Sequence, residues 1–226
     1  MLRQAHESVL RQGVNAHHIL VADGHPRAEI DDWEATHVTL PRAHGDNGNT
    51  PRGIGSMLAM AERYDFIAYL DADNWFHPDH LRSLLSVYQA TKPDVCCSFR
   101  TLHALDGTLM VGLRDADEAA LEHVDTSCYL IHSSVFDYLK VWLTMPRILS
   151  PICDRIFYRG LFARGVRFGF SRSPSVAFRS QYAMHYRAAG RAMPEGIKQD
   201  PGKDARAWLE TETGIRTCVL RMGFYP

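Results

Sequence analysis

An α/β fold, with a mostly parallel sheet covered by helices on both faces, is predicted by three features of this 226-residue sequence. Short apolar runs alternate with amphipathic stretches through the first hundred residues. Aspartates follow directly on two of those runs, at Asp23 and at Asp71/Asp73, the strand ends where such sheets bind ligands. After residue 100 hairpin and loop signals take over, so the second half is expected to be mixed and less regular.

The elements follow in order. Leu2, Ala5, Val9 and Leu10 keep helical spacing and Gly13 suits a helix stop. "HILVA", 18–22, is a short buried strand ended by the Asp23-Gly24 turn, and "EATHVTL" is the next strand. "AHGDNGNTPRGIG" is a Gly- and Asn-rich loop in which Thr50-Pro51 reads as N-cap and first helical residue. Ile54, Met57, Leu58 and Ala61 line one face of the helix that follows. "DFIAYL", 65–70, is a buried strand. Pro78 restarts the chain as a helix with Leu81, Leu84, Leu85 and Tyr88 on one face, ended before Lys92-Pro93. "DVCCSF" is a strand and "LHALDGTLMV" a hairpin about Asp106-Gly107. "SCYLI" is a strand, "SSVFDYLKVWL" a serine-capped helix, and "CDRIFYRGLFARG" a helix ending at Gly165. "VRFGF" and "SVAFRS" are two last strands, and "DARAWLETETG" is a late helix.

Composition excludes several classes. A net charge of −1 lacks the basic excess of a nucleic-acid binder, although Arg172, Arg179, Arg187 and Arg191 could meet phosphates locally. Five cysteines, an odd number without a CxxC pair, argue against a disulfide or thiolate-metal framework and point to a reducing, cytoplasmic compartment. No apolar run approaches the roughly 20 residues of a membrane span, and the amphipathic N-terminus has no signal-peptide core.

The chemistry rests on "IAYLDADNWFHPDHL", 67–81. A strand fixes Asp71 at its C-terminal end, and a turn two residues on can aim Asp73 at the same point. Two hard oxygen ligands with room for water and phosphate suit Mg2+ or Mn2+, which would bridge a diphosphate and offset its charge. The competing reading is a turn whose aspartates cap the helix at Pro78. Asp115-Ala116-Asp117 repeats the tripeptide inside an acidic stretch and reads as a solvated loop or helix start. Trp75 and Phe76 are candidates either for stacking on an acceptor sugar or for the core.

Four segments in order resemble family-2-like glycosyltransferases of the GT-A fold: "HHILVADGHP", "NGNTPRGIGSMLAMA", "YDFIAYLDADNWFHPDHL" and "ICDRIFYRGLFARGVRFGF". Arg52 and Gly55 match the second segment's family pattern, whereas Pro51 and Gly53 depart from it. The resemblance spans roughly residues 2–190. It implies one three-layer α/β/α domain, with 1–100 a nucleotide-binding half, 101–190 an acceptor-side half and 191–226 a C-terminal extension. The family's first strand has no counterpart ahead of the first helix, so that strand is expected to be missing. The implied reaction moves a sugar from a nucleotide-diphosphate donor to an acceptor hydroxyl, of a saccharide, a lipid-linked or a small molecule, usually with inversion. By carry-over Asp23, Arg52 and Asp71 bind the nucleotide sugar, Asp71 and Asp73 hold the divalent metal, and Asp154 is the base. Cys153 stands where the family often has Glu. His185 is a candidate third metal ligand beside its plainer reading as a packing histidine.

Rival readings are a haloacid-type phosphatase, a sugar-phosphate nucleotidyltransferase and a degenerate, non-catalytic sugar-nucleotide binder. The first is opposed by Asn74-Trp75 after the second Asp. The second would carry a Gly-rich loop on an N-terminal strand. The lost Glu favours the third.

Overall fold

The first periodic segment folds as its spacing predicts: helix α1 spans Leu2–Leu10 and buries Ala5 and Val9. Further along the computed structural model, which describes residues 1–113 and 120–226, come β1 (Ile19–Ala22), β2 (Thr36–Thr39), α2 (Asn49–Ala61), β3 (Phe66–Ala68), β4 (Trp75–Phe76), α3 (His80–Thr91) and β5 (Val95–His103). They are followed by β6 (Tyr129–His132), α4 (Val141–Thr144), α5 (Cys153–Ala163), β7 (Phe168–Arg179), α6 (Ala183–Ala188), α7 (Lys203–Leu209) and α8 (Glu212–Met222). Asp115 to Asp117, the second Asp-Ala-Asp copy, lie outside the described residues. A five-stranded mixed sheet runs in the order β3-β6-β5-β7-β4, and β1 pairs with β2 in a separate parallel pair.

The chain divides into two compact units. The first contains Met1–Val14, Ala68–Leu130 and Phe168–Pro201. Its centre is the long parallel pair of β5 and β7, from Val95 opposite Phe168 to His103 opposite Arg179, with register shifts around Phe99. β4 adds antiparallel to β7, Trp75 opposite Ala177. Leu102, Ala104, Met110, Phe178 and Tyr186 form a buried cluster against this pair. Helix α1 is stitched on by polar contacts. The Ser8 hydroxyl accepts from the Phe76 N–H at 3.0 Å, and Gln12 accepts from the Leu81 N–H at 3.0 Å while donating to the His77 carbonyl at 3.0 Å. Gln12 thus satisfies a first-turn amide of α3, one of the orphan donors every helix start leaves.

The second unit contains Asn15–Ile67, Ile131–Arg167 and Gly202–Pro226. It carries the β1/β2 pair, α2, α4, α5, α7 and α8, around Trp142 stacked on Phe157 at 4.3 Å between centroids.

Several expectations are corrected. The buried stripe of α2 is Asn49, Gly53, Ser56 and Ala59 rather than Ile54, Met57, Leu58 and Ala61. Small residues are needed there because α4 comes so close: a Cβ on Gly53 would lie 2.4 Å from Leu143 Cδ2. Thr50 does not cap α2; it lies inside the helix, and Asp46 accepts from both its N–H (3.0 Å) and its hydroxyl (2.6 Å). The serine-capped helix of 133–143 is broken into a 3-10 turn, Ser133–Tyr138, and the short α4, with His132 Nδ1 as the cap. The two last strands are one, β7, which passes through Arg172 in the left-handed region. The late helix is split at Thr211, whose hydroxyl caps α8 by accepting from the Gly214 N–H at 3.0 Å. The Asp106-Gly107 turn forms as predicted, with Gly107 at φ 88° and its N–H on the Ala104 carbonyl.

Candidate functional site

Strand β3 ends two residues before Leu70, and Asp71 to Asn74 form a tight turn closed by the Asn74 N–H on the Asp71 carbonyl at 3.0 Å. The turn is held from inside the first unit. Asn74, 1% exposed, donates through Nδ2 to Ser127 Oγ at 3.2 Å and accepts through Oδ1 from the Arg179 N–H at 2.9 Å. Ser127 Oγ also accepts from the Asp71 N–H at 3.3 Å. Ser127 is itself fixed by its N–H on Asp125, whose other oxygen takes a 2.7 Å bond from the buried Arg100. Arg179 Nε donates to the Asp73 carbonyl at 3.0 Å, and Gln181 Nε2 donates to Asp73 Oδ2 at 3.1 Å. The polar chain from Arg100 to Asn74 is continuous, as buried polar groups require.

Burial pushes the Asp73 carboxyl above its usual range, and the Asp71 charge beside it pushes the same way, against the Gln181 amide. Paired carboxylates of this kind are the hard oxygen ligands that divalent cations take. The helix-cap alternative loses its basis. The N-cap of α3, Asp79, makes no side-chain cap bond, and the Leu81 N–H is held by Gln12.

His185 is not gathered with the aspartates. Among the described residues no three His, Cys, Asp or Glu side chains lie together to hold a metal ion. The ring is buried on α6, its Nδ1 at 2.7 Å from Ser180 Oγ, with Phe178 and Tyr182 packed edge-on. Of the aromatic pair, Phe76 is core and stacks on His80 at 4.1 Å. Trp75 lies under the Arg179 guanidinium at 4.8 Å and against His103. Arg187 bonds Gln199, and Arg191 reaches the Thr108 carbonyl at 3.4 Å.

In the second unit Asp23 closes β1 and ties down the loop before α2. Its two oxygens accept from the His44 N–H at 3.0 Å each, from the His44 ring at 2.7 Å and from the Gly45 N–H at 3.1 Å. Burial alone would raise this carboxyl, but the His44 ring bond, the two amides and the His44 charge outweigh it and hold Asp23 below the usual range. Arg52, in the first turns of α2, donates to the Asn47 carbonyl at 2.8 Å, approaches Cys153 Sγ at 4.0 Å and lies over the Trp142 ring at 5.3 Å. Asn47 also donates to Ser150 Oγ at 3.0 Å. The second unit therefore brings the loop at 44–52 against the start of α5. Asp154 lies half-buried in the first turn of α5, its Oδ1 2.8 Å from the Arg155 N–H. A helix N-terminus favours the ionised carboxylate.

Sequence reading missed the residues that hold these groups in place: Ser127, Asp125 and Gln181 in one unit, His44 and Ser150 in the other. Arg179 stood out only as one arginine among several. None carries a local signal, because each reaches its partner across a long stretch of chain.

Comparison with known proteins bears on both units. The profile of the glycosyl transferase family 2 matches residues 1–136. The fold is similar to that of S. aureus TarS 1–349 in complex with UDP, with a TM-score of 0.58 and 12% identity over 83% of this chain and 59% of that one. It is also similar to the same S. aureus protein in complex with UDP-GlcNAc, with a TM-score of 0.62 and 10% identity over 96% and 62%. The chain thus spans about three fifths of the length of these structures. At such identities the likeness concerns the fold. No curated protein matches the chain by sequence.

Proposed function

We propose, for a chain that belongs to glycosyl transferase family 2, that it moves a sugar from a nucleotide-diphosphate sugar to an acceptor hydroxyl, with Asp71 and Asp73 holding a divalent cation. The observation that carries the reading is the Asp71–Asn74 turn: two mutually repelling carboxylates at a strand end, locked by Asn74, Ser127 and Arg179. The S. aureus structures with UDP and UDP-GlcNAc support a nucleotide-sugar donor and make UDP the first ligand to try.

A Mn2+ or Mg2+ ion bound there would neutralise charge developing on the departing diphosphate. Every other role falls to this chain. Asp71 and Asp73 would supply carboxylate oxygens to the ion. By the family resemblance, Asp23 and Arg52 would contact the nucleotide sugar. Asp154 would accept the proton of the acceptor hydroxyl as that oxygen attacks the anomeric carbon from the face opposite the leaving group, which inverts the centre. Asp154 lies in the first turn of α5, where the helix dipole favours a carboxylate. The five cysteines are buried and none is in a disulfide, which supports the cytoplasmic placement, and no helix among the described residues is long and apolar enough to cross a membrane.

Calorimetric titration with UDP and with GDP, with and without Mn2+, tests the reading. Binding strengthened by the metal is expected, and no metal-dependent binding of either nucleotide would remove it. A non-catalytic binder remains the second reading, favoured by Cys153, buried beside Arg52 where the family often has Glu. Asp154→Asn separates the two. For an enzyme it should keep nucleotide binding within about twofold and lower the transfer rate by roughly 10²–10⁴, measured as released nucleotide.

A further inference from the structure

We propose that Arg179, at the end of β7, is a positioning residue that sets the cation affinity of the Asp71–Asp73 turn; this rests on the metal role given above to those two aspartates. Arg179 is 6% exposed, and the partners named below all belong to the first unit. Its N–H donates to Asn74 Oδ1 at 2.9 Å. Its Nε donates to the Asp73 carbonyl at 3.0 Å, Nη1 to the Leu105 carbonyl at 2.9 Å and Nη2 to Gln4 Oε1 at 2.8 Å. The guanidinium face covers Trp75 at 4.8 Å. One planar cation therefore joins four pieces of chain: the carboxylate turn, β4, the hairpin after β5, and α1.

The partners matter more than their number. Among the described residues the guanidinium donates to neutral acceptors, two main-chain carbonyls and one side-chain amide. Hydrogen bonds from an ionised donor are shorter and stronger than neutral ones. The fork geometry also divides the labour. Nε points to Asp73, and the two terminal nitrogens brace against the hairpin and α1. A lysine can occupy the site and keep the charge, but its single ammonium cannot reproduce three divergent bonds in one plane. The Asp73 carbonyl and the Asn74 side chain are both held from Arg179, so the path of the backbone between the two carboxylates depends on it. Cation affinity depends in turn on how well two ligands are placed before the ion arrives.

The test is Mn2+ binding to the free protein, without turnover, by calorimetry or by loss of the free-ion paramagnetic resonance signal. It is run on the wild type, Arg179→Lys, Gln4→Ala, Asp73→Ala and the Asp73→Ala/Arg179→Lys pair, with thermal melts of each. Arg179→Lys should weaken Mn2+ binding about tenfold or more, the usual effect of losing a charge-assisted hydrogen bond. Gln4→Ala, which removes only the outer brace, should weaken it about twofold to fourfold and serves as the readout if the lysine variant does not fold. In the Asp73→Ala background the lysine substitution should lower melting while changing Mn2+ binding no further. If Arg179→Lys and Gln4→Ala bind Mn2+ as the wild type does and only melt lower, Arg179 is a structural residue and the proposal is overturned. If the wild type binds no Mn2+, with or without UDP, it is the metal reading itself that fails.

Discussion

Asp23 and Asp73 both follow half-buried strands, yet their carboxylates are in opposite conditions. Asp23 is surrounded by donors: two amides and an imidazole converge on it, and it sits below the ordinary carboxylate range. Asp73 sits above that range, because burial and the like charge of Asp71 outweigh its own main-chain N–H and the Gln181 amide. A carboxylate whose lone pairs are filled from its own chain serves as a fastener. One that is half-buried beside a like charge would be stabilised by a cation from outside. The two aspartates thus divide into a structural tie and the proposed ligand site.

Substitution at Asp73 puts the greatest strain on this contrast. Its pKa is raised in the folded protein, so its contribution to stability is present below the unfolded value and lost as pH rises through the folded one. Ionisation of Asp73 therefore lowers the stability of the metal-free fold. Asp73→Asn should melt no lower than the wild type in chelator, and higher if the contrast holds, while losing roughly 100-fold or more in Mn2+-dependent nucleotide affinity. Scanning calorimetry with and without Mn2+ reads both effects, and a large loss of melting temperature in chelator would break the contrast.

A smaller effect is expected behind the Asp23 loop, where α2 must stay close to α4. Gly53→Ala should cost about 1–3 kcal/mol through the clash with Leu143, seen as a lower denaturation midpoint, and Gly53→Ala with Leu143→Ala should regain part of it. The smallest effect sharpens the other side of the contrast. Asp23 has a lowered pKa, so its stabilisation is present above the unfolded value and fades as pH falls through the folded one. Asp23→Asn should melt a few degrees lower at pH 7, on the order of 2–4 °C. The gap from the wild type should close as pH falls from about 5 to 3; a gap unchanged at pH 3 would show that charge is not what fastens the loop.

Much of this was legible in the residues. Apolar runs ended by aspartates marked β1 and β3, helical spacing marked α1, and Cys153 to Gly165 marked α5. The Asp71/Asp73 pair stood out because a strand end and a turn are local events. The buried face of α2 was not legible, because the closeness of α4 makes Gly53 and Ser56 the contact face and leaves Ile54 and Met57 half-buried. The unity of β7 was hidden by Arg172 and Pro174, which look like a break yet are absorbed by the irregular register with β5. The supports of the site were hidden most deeply: Arg179 meets Asn74 from 105 positions away, and no local pattern announces such a meeting.

That irregular register has a mechanical consequence. Between Cys97 and His103 on β5, β7 fits in the longer run from Phe170 to Arg179, so slack is stored in the middle of the sheet. Side chains alternate between faces along a strand, and the slack therefore fixes the phase in which β7 reaches its end. Removing a single residue near Pro174 would turn the segment half a period and swing the guanidinium away from the aspartate turn, although no residue of that turn had been altered.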